Sequence, residues 1–382
     1  MTPMLYLDHA ASAPVRPEVL DAMRPYLTGV FGNPSSHHTY GEAAASALDD
    51  ARSRVARALG MRSGDVVFTG GGTEANNLAV KGIVLAALAD GRRHLVVSPI
   101  EHESILESAD YLRRFHDVEV TAAPVDPQGR ISAVSLHEAI RDDTALVALG
   151  HANNEIGTIQ DMAALTEVSR SARVPLHVDA VQSAGWLPLA ELGADAIAIA
   201  GHKLGAPKGI GALAVRGRLA LEPLLHGGGQ ERGRRSGTEN VAGAVGLAVA
   251  LDLAEAEREA LSSRIGATTQ RFIAAVLSLV PQSALTGDPI RRLPATASFT
   301  FTGVSGEAVL LELERRGVVS SSGSACAAGS DEPSHVLLAS GVEPSVAQTS
   351  VRFTFGRDPL PEDLPDRLGN LVAESVRAVA GH

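Results

Sequence analysis

Between about residues 65 and 215, short apolar runs alternate with helical stretches, and few folds accommodate that alternation. Asp65 to Thr69, His94 to Ser98, Val118 to Ala122, Leu146 to Leu149, Pro175 to Asp179 and Ala194 to Ala200 each read as a buried strand. Strands that alternate with helices predict a largely parallel sheet covered by helices on both faces. Sheets of that kind bind ligands beyond the carboxyl ends of their strands. Here Thr73, His102, Asn154, Asp179, Gln182 and Lys203 all stand just after successive strands. Unrelated polar turns would not need this regularity.

The last of these strands ends in Gly201-His202-Lys203, and Gly205, Pro207, Gly209 and Gly211 then interrupt regular structure. A lysine at the end of a buried strand is costly to desolvate, and desolvation favours the neutral amine that a covalent carbonyl chemistry needs. The plainer reading is a surface lysine on a loop. Gly70-Gly71-Gly72-Thr73-Glu74 joins a strand to a helix, where free backbone N–H groups and the helix dipole favour an anion. The same stretch also reads as a tight turn with Thr73 as helix N-cap. It matches neither the dinucleotide fingerprint nor the P-loop. His102-Glu103 lacks the second histidine of a zincin. Asn153 and Asn154 read either as turn formers or as ligands. The glycine-rich loop from His226 to Asn240 begins like a lipase oxyanion loop, but the chain has no G-x-S-x-G nucleophile elbow.

The alternation stops after this loop. Val241 to Glu257 reads as a helix, with a second helical pattern towards Val280, so the domain boundary is placed near 257. The C-terminal part offers a half-buried strand at Thr296 to Thr302 and a helix at Glu307 to Arg316. Arg352 stands among apolar residues in the strand Ser350 to Phe355; if buried it needs an anion, otherwise it lies on the solvent face. Cys326 is the one cysteine, so an intramolecular disulfide and a Cys-based metal cluster within one chain are excluded. It sits in a loop of small residues, Ser321 to Ser330. The 33 basic and 44 acidic residues give a net charge of −11 without a basic stripe, which speaks against nucleic acid as a direct partner. The longest apolar run, Val241 to Leu251, is too short to span a bilayer, and no signal peptide is evident in Met1–Pro17, so a cytoplasmic protein is expected.

Eight motifs together resemble the cysteine desulfurases, pyridoxal-phosphate enzymes of the NifS/IscS-like group in the class-V aminotransferase family. They are Gly-Asn-Pro at 32–34, Thr-Glu at 73–74, Glu-His at 101–102, Asn-Asn-Glu-Ile-Gly at 153–157, His-Val-Asp at 177–179, Gly-His-Lys at 201–203, Arg-Ser-Gly-Thr at 235–238 and Ser-Gly-Ser-Ala-Cys at 322–326. The resemblance implies an α/β protein of the fold type I transferase class. Its large domain, 15–257, would hold a mainly parallel seven-stranded sheet. A smaller α+β domain, 1–14 with 258–382, would carry the catalytic cysteine loop at about 320–333.

It also implies roles. Lys203 would bind the cofactor covalently and move the substrate Cα proton. Asp179 would pair with the pyridinium nitrogen, and His102 would stack on the ring and shuttle protons. Asn154 and Gln182 would hold the ring hydroxyl side. Gly72, Thr73 and His202 would take the phosphate, with Thr238 arriving from the other subunit of a homodimer. Arg352, with Asn154, would bind the carboxylate of L-cysteine. Cys326, as thiolate, would take the sulfur and pass it to an acceptor such as an iron–sulfur scaffold protein. No metal is implied.

Two positions depart from the family pattern. Ala200 stands where a phosphate-binding serine is usual, and Ser12-Ala13 where two threonines are usual. A selenocysteine lyase or another class-V enzyme is the alternative on the same scaffold. A sulfur carrier or scaffold-binding protein without catalysis is the non-enzymatic one. The retained Lys203, Asp179, His102 and Arg352 speak against the latter.

Overall fold

The structure, a computed structural model, describes residues 4–322 and 332–381. The chain enters through β1 (Leu5–Tyr6) and two helices, α1 (Pro17–Thr28) and α2 (Thr39–Ala58). A central sheet follows: β2 (Val66–Thr69), β3 (His94–Val97), β4 (Glu119–Ala122), β5 (Thr144–Gly150), β6 (Leu176–Asp179), β7 (Ala196–Ala200) and β8 (Gly211–Val215). Between its strands run α3 (Gly72–Ala87), α4 (Glu103–His116), α5 (Ala133–Ala139) and α6 (Met162–Ser171). Then come α7 (Val241–Leu279), β9 (Ser283–Leu285), β10 (Thr296–Phe301), α8 (Gly306–Arg315), β11 (Val318–Val319), α9 (His335–Ala339), α10 (Pro344–Ala347), β12 (Val351–Thr354) and α11 (Leu364–Ala380).

The central sheet has the order β2-β8-β7-β6-β5-β3-β4. All its pairings are parallel except those of β8, which runs against both β2 and β7. The carboxyl ends of β2, β3, β5, β6 and β7 therefore share one edge. Side chains alternate between faces, as the strand repeat demands. Val66, Phe68, Ile197 and Ile199 join α1, α2, α6 and the first half of α7 in one core. Val67, Leu95, Ala196 and Ala198 join α3 and α4 in another. Because both faces are covered, these strands are continuously apolar.

A third core lies in the C-terminal part. Phe272 of α7 meets Phe299, Phe353 and Phe355 edge-on at 5.1 to 5.8 Å. Leu7, from the segment after β1, belongs to the same core. A three-stranded antiparallel sheet, β12-β10-β9, and the parallel pair β1-β11 frame it.

The sequence reading of two helical patterns around residue 257 is corrected: α7 is one helix of 39 residues. Ala242 to Ala254 pack into the first core, and Leu261 to Val276 into the third. The apolar stripe changes partner near 257, so the pattern looks broken while the backbone is not.

Candidate active site

The turn after β2 is the first component. Gly71 is the N-cap of α3 and has φ +153°, a conformation that favours glycine. It gives the helix no side-chain cap. Thr73 lies within the first helical turn, so its reading as the N-cap is corrected. Gly211, at the start of β8, keeps this turn close to the sheet: a Cβ there would lie 2.7 Å from Gly71 C and Ile199 O. The uncapped amides of the first turn and the positive end of a 16-residue helix face an anion-sized opening.

That opening belongs to a cavity of about 840 Å³ at the carboxyl edge of the sheet. Gly72, Thr73, His102 and Asn154 line it, as do Asp179, Gln182, His202 and Lys203. The structure thus brings together eight of the residues singled out from sequence. The other three are Thr238, Arg352 and Cys326. Thr238 is exposed on the glycine-rich loop and does not line this cavity. Arg352 is buried behind it, 2% exposed. Cys326 lies outside the described residues, within 323–331.

Lys203 follows β7 in a single 3-10 turn, Gly201–Lys203. Its Nζ donates to the carbonyls of Ala10 and Ala11, the latter at 3.0 Å. Gln182 Nε2 also donates to Ala10 O, at 3.0 Å. The segment after β1 therefore closes one wall of the site. Burial, helped by the charges of Lys203 and Lys208, pushes the His202 imidazole down to about 4. Neutral His202 and two lysines, Lys203 and Lys208, line the cavity that the α3 terminus also lines. Sequence reasoning missed Lys208 because a lysine among loop glycines has no periodic signal.

Asp179, at the end of β6, accepts from Val181 N at 2.9 Å and from Asn76 Nδ2 at 2.7 Å. Asn76 was also missed from sequence. It lies four residues after Gly72 on α3, one turn below the glycine corner, and is 1% exposed. A poor helix former held inside a helix was the available signal. The two asparagines after β5 divide the roles left open above. Asn153 Oδ1 accepts from Glu155 N and Ile156 N, so Asn153 forms the turn. The Asn154 carbonyl accepts from Arg352 Nη1 at 2.8 Å.

Arg352 has the anion its burial requires: Nη2 donates to Asp8 Oδ1 at 2.7 Å. The solvent-face alternative is thereby excluded. Beside the cavity, Glu101 is buried and accepts from Ser98 Oγ at 2.7 Å. Burial pushes its carboxyl up to about 8, against the Ser98 bond, with the Asp179 charge adding to the rise.

These residues fit pyridoxal phosphate. An uncapped helix terminus, a hydroxyl, a neutral imidazole and the Lys208 cation suit a phosphate. A Cβ on Gly72 would lie 2.7 Å from Val181 Cγ2, so glycine lets the start of α3 pack closely on that side chain. The acceptor-only carboxylate of Asp179 suits a protonated ring nitrogen, and Lys203 supplies the amine.

The sequence matches the family model for aminotransferase class-V over residues 5–365. It is 41% identical to cysteine desulfurase IscS of Dictyoglomus turgidum over 380 residues, covering 98% of this chain and 96% of that one. It is 43% identical to cysteine desulfurase IscS of Methanosarcina thermophila over 375 residues, covering 98% and 92%. The fold superposes on a solved NifS-like protein with a TM-score of 0.90 at 31% identity, covering 98% of this chain and all of that one.

Proposed function

Since the chain belongs to the aminotransferase class-V family and is a pyridoxal-phosphate-dependent cysteine desulfurase, we propose that Lys203, His102 and Cys326 carry its chemistry. The reaction takes L-cysteine to L-alanine and leaves the sulfur on the enzyme as a persulfide. The observation that carries this division of roles is the convergence of Lys203, Asp179, His102 and the uncapped α3 terminus on one cavity.

When bound, pyridoxal phosphate supplies an electron-withdrawing ring that stabilises negative charge at the substrate Cα. Gly72, Thr73 and His202 would hold its phosphate, and Lys203 would hold it covalently. Asp179 would pair with the ring nitrogen, while Asn154 and Gln182 would orient the ring. Arg352 and Asn154 would orient the substrate carboxylate. Lys203 Nζ would move the substrate Cα proton. His102 handles a second proton beside the ring. The Cys326 thiolate attacks the substrate sulfur: an S–S bond forms, and the Cβ–S bond breaks with its electron pair left on carbon. That carbon takes up a proton and leaves as alanine.

A second copy supplies Thr238, which is exposed and away from its own subunit's cavity. The exposed apolar side chains Leu27, Phe31, Tyr40 and Leu225 offer a face for that copy. The large domain is 15–257, and the small domain joins 1–14 to 258–382. The acceptor is a sulfur-carrying protein such as an iron–sulfur scaffold, and the compartment is the reducing cytoplasm, where a lone thiol stays reactive.

The experiment is turnover of L-cysteine by the cofactor-loaded protein with a thiol reductant, following sulfide and alanine together. Equal amounts of both are expected. A coloured protein that yields neither from cysteine but releases alanine from selenocysteine would transfer the assignment to the selenium substrate.

A further inference from the structure

Beneath the candidate site, one side-chain amide on α3 joins three residues on two other elements, β6 and α4. Asn76 Nδ2 donates to Asp179 Oδ2 at 2.7 Å and to Ser104 Oγ at 2.9 Å, and Asn76 Oδ1 lies 3.0 Å from His177 Nε2. Ser104 in turn meets His102, the N-cap of α4: Ser104 N donates to His102 Nδ1 at 3.0 Å, and Ser104 Oγ lies 2.9 Å from the same nitrogen. We propose that Asn76 and Ser104 are positioning residues that hold His102 as its Nε2–H tautomer and tie its ring to the Asp179 carboxylate.

The argument is a count of hydrogens. The ionised Asp179 carboxylate can only accept, so the amide nitrogen of Asn76, not its oxygen, must face it. The second hydrogen of that nitrogen goes to Ser104 Oγ. Asn76 Oδ1 is then left for His177, which burial pushes down to about 4 and thus holds neutral, with its hydrogen on Nε2. Ser104 Oγ, already accepting from Asn76, has one hydrogen of its own. His102 Nδ1 is the acceptor beside it. The hydroxyl and the amide of Ser104 therefore both point at Nδ1, which must carry a lone pair. The ring hydrogen of His102 is left on Nε2, 3.8 Å from Glu103 Oε2.

The network is buried, with Asn76 1%, Ser104 5% and His177 0% exposed. Water is kept from the bonds among Asn76, Ser104 and His177, so a half-satisfied alternative there would be costly, while the His102 side chain is 36% exposed at the cavity end. His102 consequently meets the reacting groups as a hydrogen-bond donor through Nε2. Its ring and the Asp179 carboxylate, which line the same cavity, are linked through one amide and the Ser104 hydroxyl. The proposal rests on the reading of His102 as a proton-handling residue, which is tested separately below.

The experiment uses cofactor-loaded protein with isotope-labelled histidine. The ring nitrogens of His102 are identified among the 13 histidines by their loss in His102→Gln. The wild type is expected to show the Nε2–H tautomer. Ser104→Ala removes the hydroxyl donor but keeps the backbone one, so it is expected to raise the minor Nδ1–H population without making it dominant, and Ser104→Thr to restore the wild-type ratio. Asn76→Ala is expected to act in the same direction as Ser104→Ala. The kcat for sulfide release falls about tenfold in Ser104→Ala, less than the roughly 10²- to 10⁴-fold of a whole general acid–base contribution because His102 itself remains, and recovers in Ser104→Thr. An Nδ1–H ring in the wild type overturns the proposal. So does a tautomer ratio unchanged from wild type in both alanine variants, whatever their rates. Full activity of His102→Gln overturns instead the role given to His102 above, and with it the expected loss of rate. The tautomer assignment is decided by the spectra alone.

Discussion

The guanidinium of Arg352 donates to the carboxylate of Asp8 at 2.7 Å, joining β12 to the segment after β1. The Arg352 side chain is 2% exposed and that of Asp8 17%. Removing one partner of such a pair leaves the other buried and uncompensated, at a cost of about 3 kcal/mol. Asp8→Ala should lower the urea midpoint of the holoenzyme accordingly. Arg352→Lys keeps the charge but loses the planar fork, and should raise KM for cysteine about tenfold with kcat nearly unchanged. An unaltered KM would remove Arg352 from substrate binding and leave it a structural residue.

Glu101 gives the fold a pH dependence. Its carboxyl is raised from 4.5 to about 8, chiefly by burial. The folded chain thus keeps a proton that the unfolded chain releases. The stability this contributes is full below 4.5, declines as pH rises and is lost above about 8. Glu101→Gln stays neutral throughout. Its stability relative to wild type should therefore climb by up to about 1.4 kcal/mol per pH unit through this window and then level off. A difference independent of pH would mean that the carboxyl ionises normally in the fold.

Ala200 closes the floor beneath the α3 terminus, where a Cβ on Gly72 would lie 3.3 Å from its own Cβ. Ala200→Ser adds a hydroxyl at that floor. A hydrogen bond to a charged group should tighten the cofactor about tenfold, read by titrating the apoenzyme with pyridoxal phosphate. Unchanged affinity would show that another donor already fills the position.

Lys203→Ala should abolish the visible absorption of the covalently bound cofactor, and a variant that keeps the band refutes the assignment. Cys326→Ser should still change its spectrum on addition of cysteine but release no sulfide. Continued sulfide formation in that variant would take Cys326 out of the reaction.

What was legible in the sequence follows from range. The strand before Gly-His-Lys, the glycine corner before α3 and the polar residue after each strand are local patterns, and the sheet edge gathers them as the alternation predicts. Arg352 could be read as needing an anion, but Asp8 is 344 positions away, and nothing local names it. The partnership of Asn76 and Ser104 was invisible for a similar reason. Nothing local joins them until α3 and α4 pack and bring them within 2.9 Å. The continuity of α7 was missed because a change of packing partner imitates a helix break. The antiparallel β8 carries the same apolar signature as its parallel neighbours, so its direction had no local trace.

The pairing of Leu5 with Val318 in β1 and β11 dictates an order of events during synthesis. β1 has no strand to join until β11, far later in the chain, has been made. The segment after β1 carries Asp8, which holds Arg352, and the Ala10 carbonyl, which holds Lys203 and Gln182. A nascent chain can thus complete its central sheet while one wall of the cofactor pocket is still missing. Loading with pyridoxal phosphate belongs to the finished chain, and a copy truncated before β11 would be folded in part and colourless.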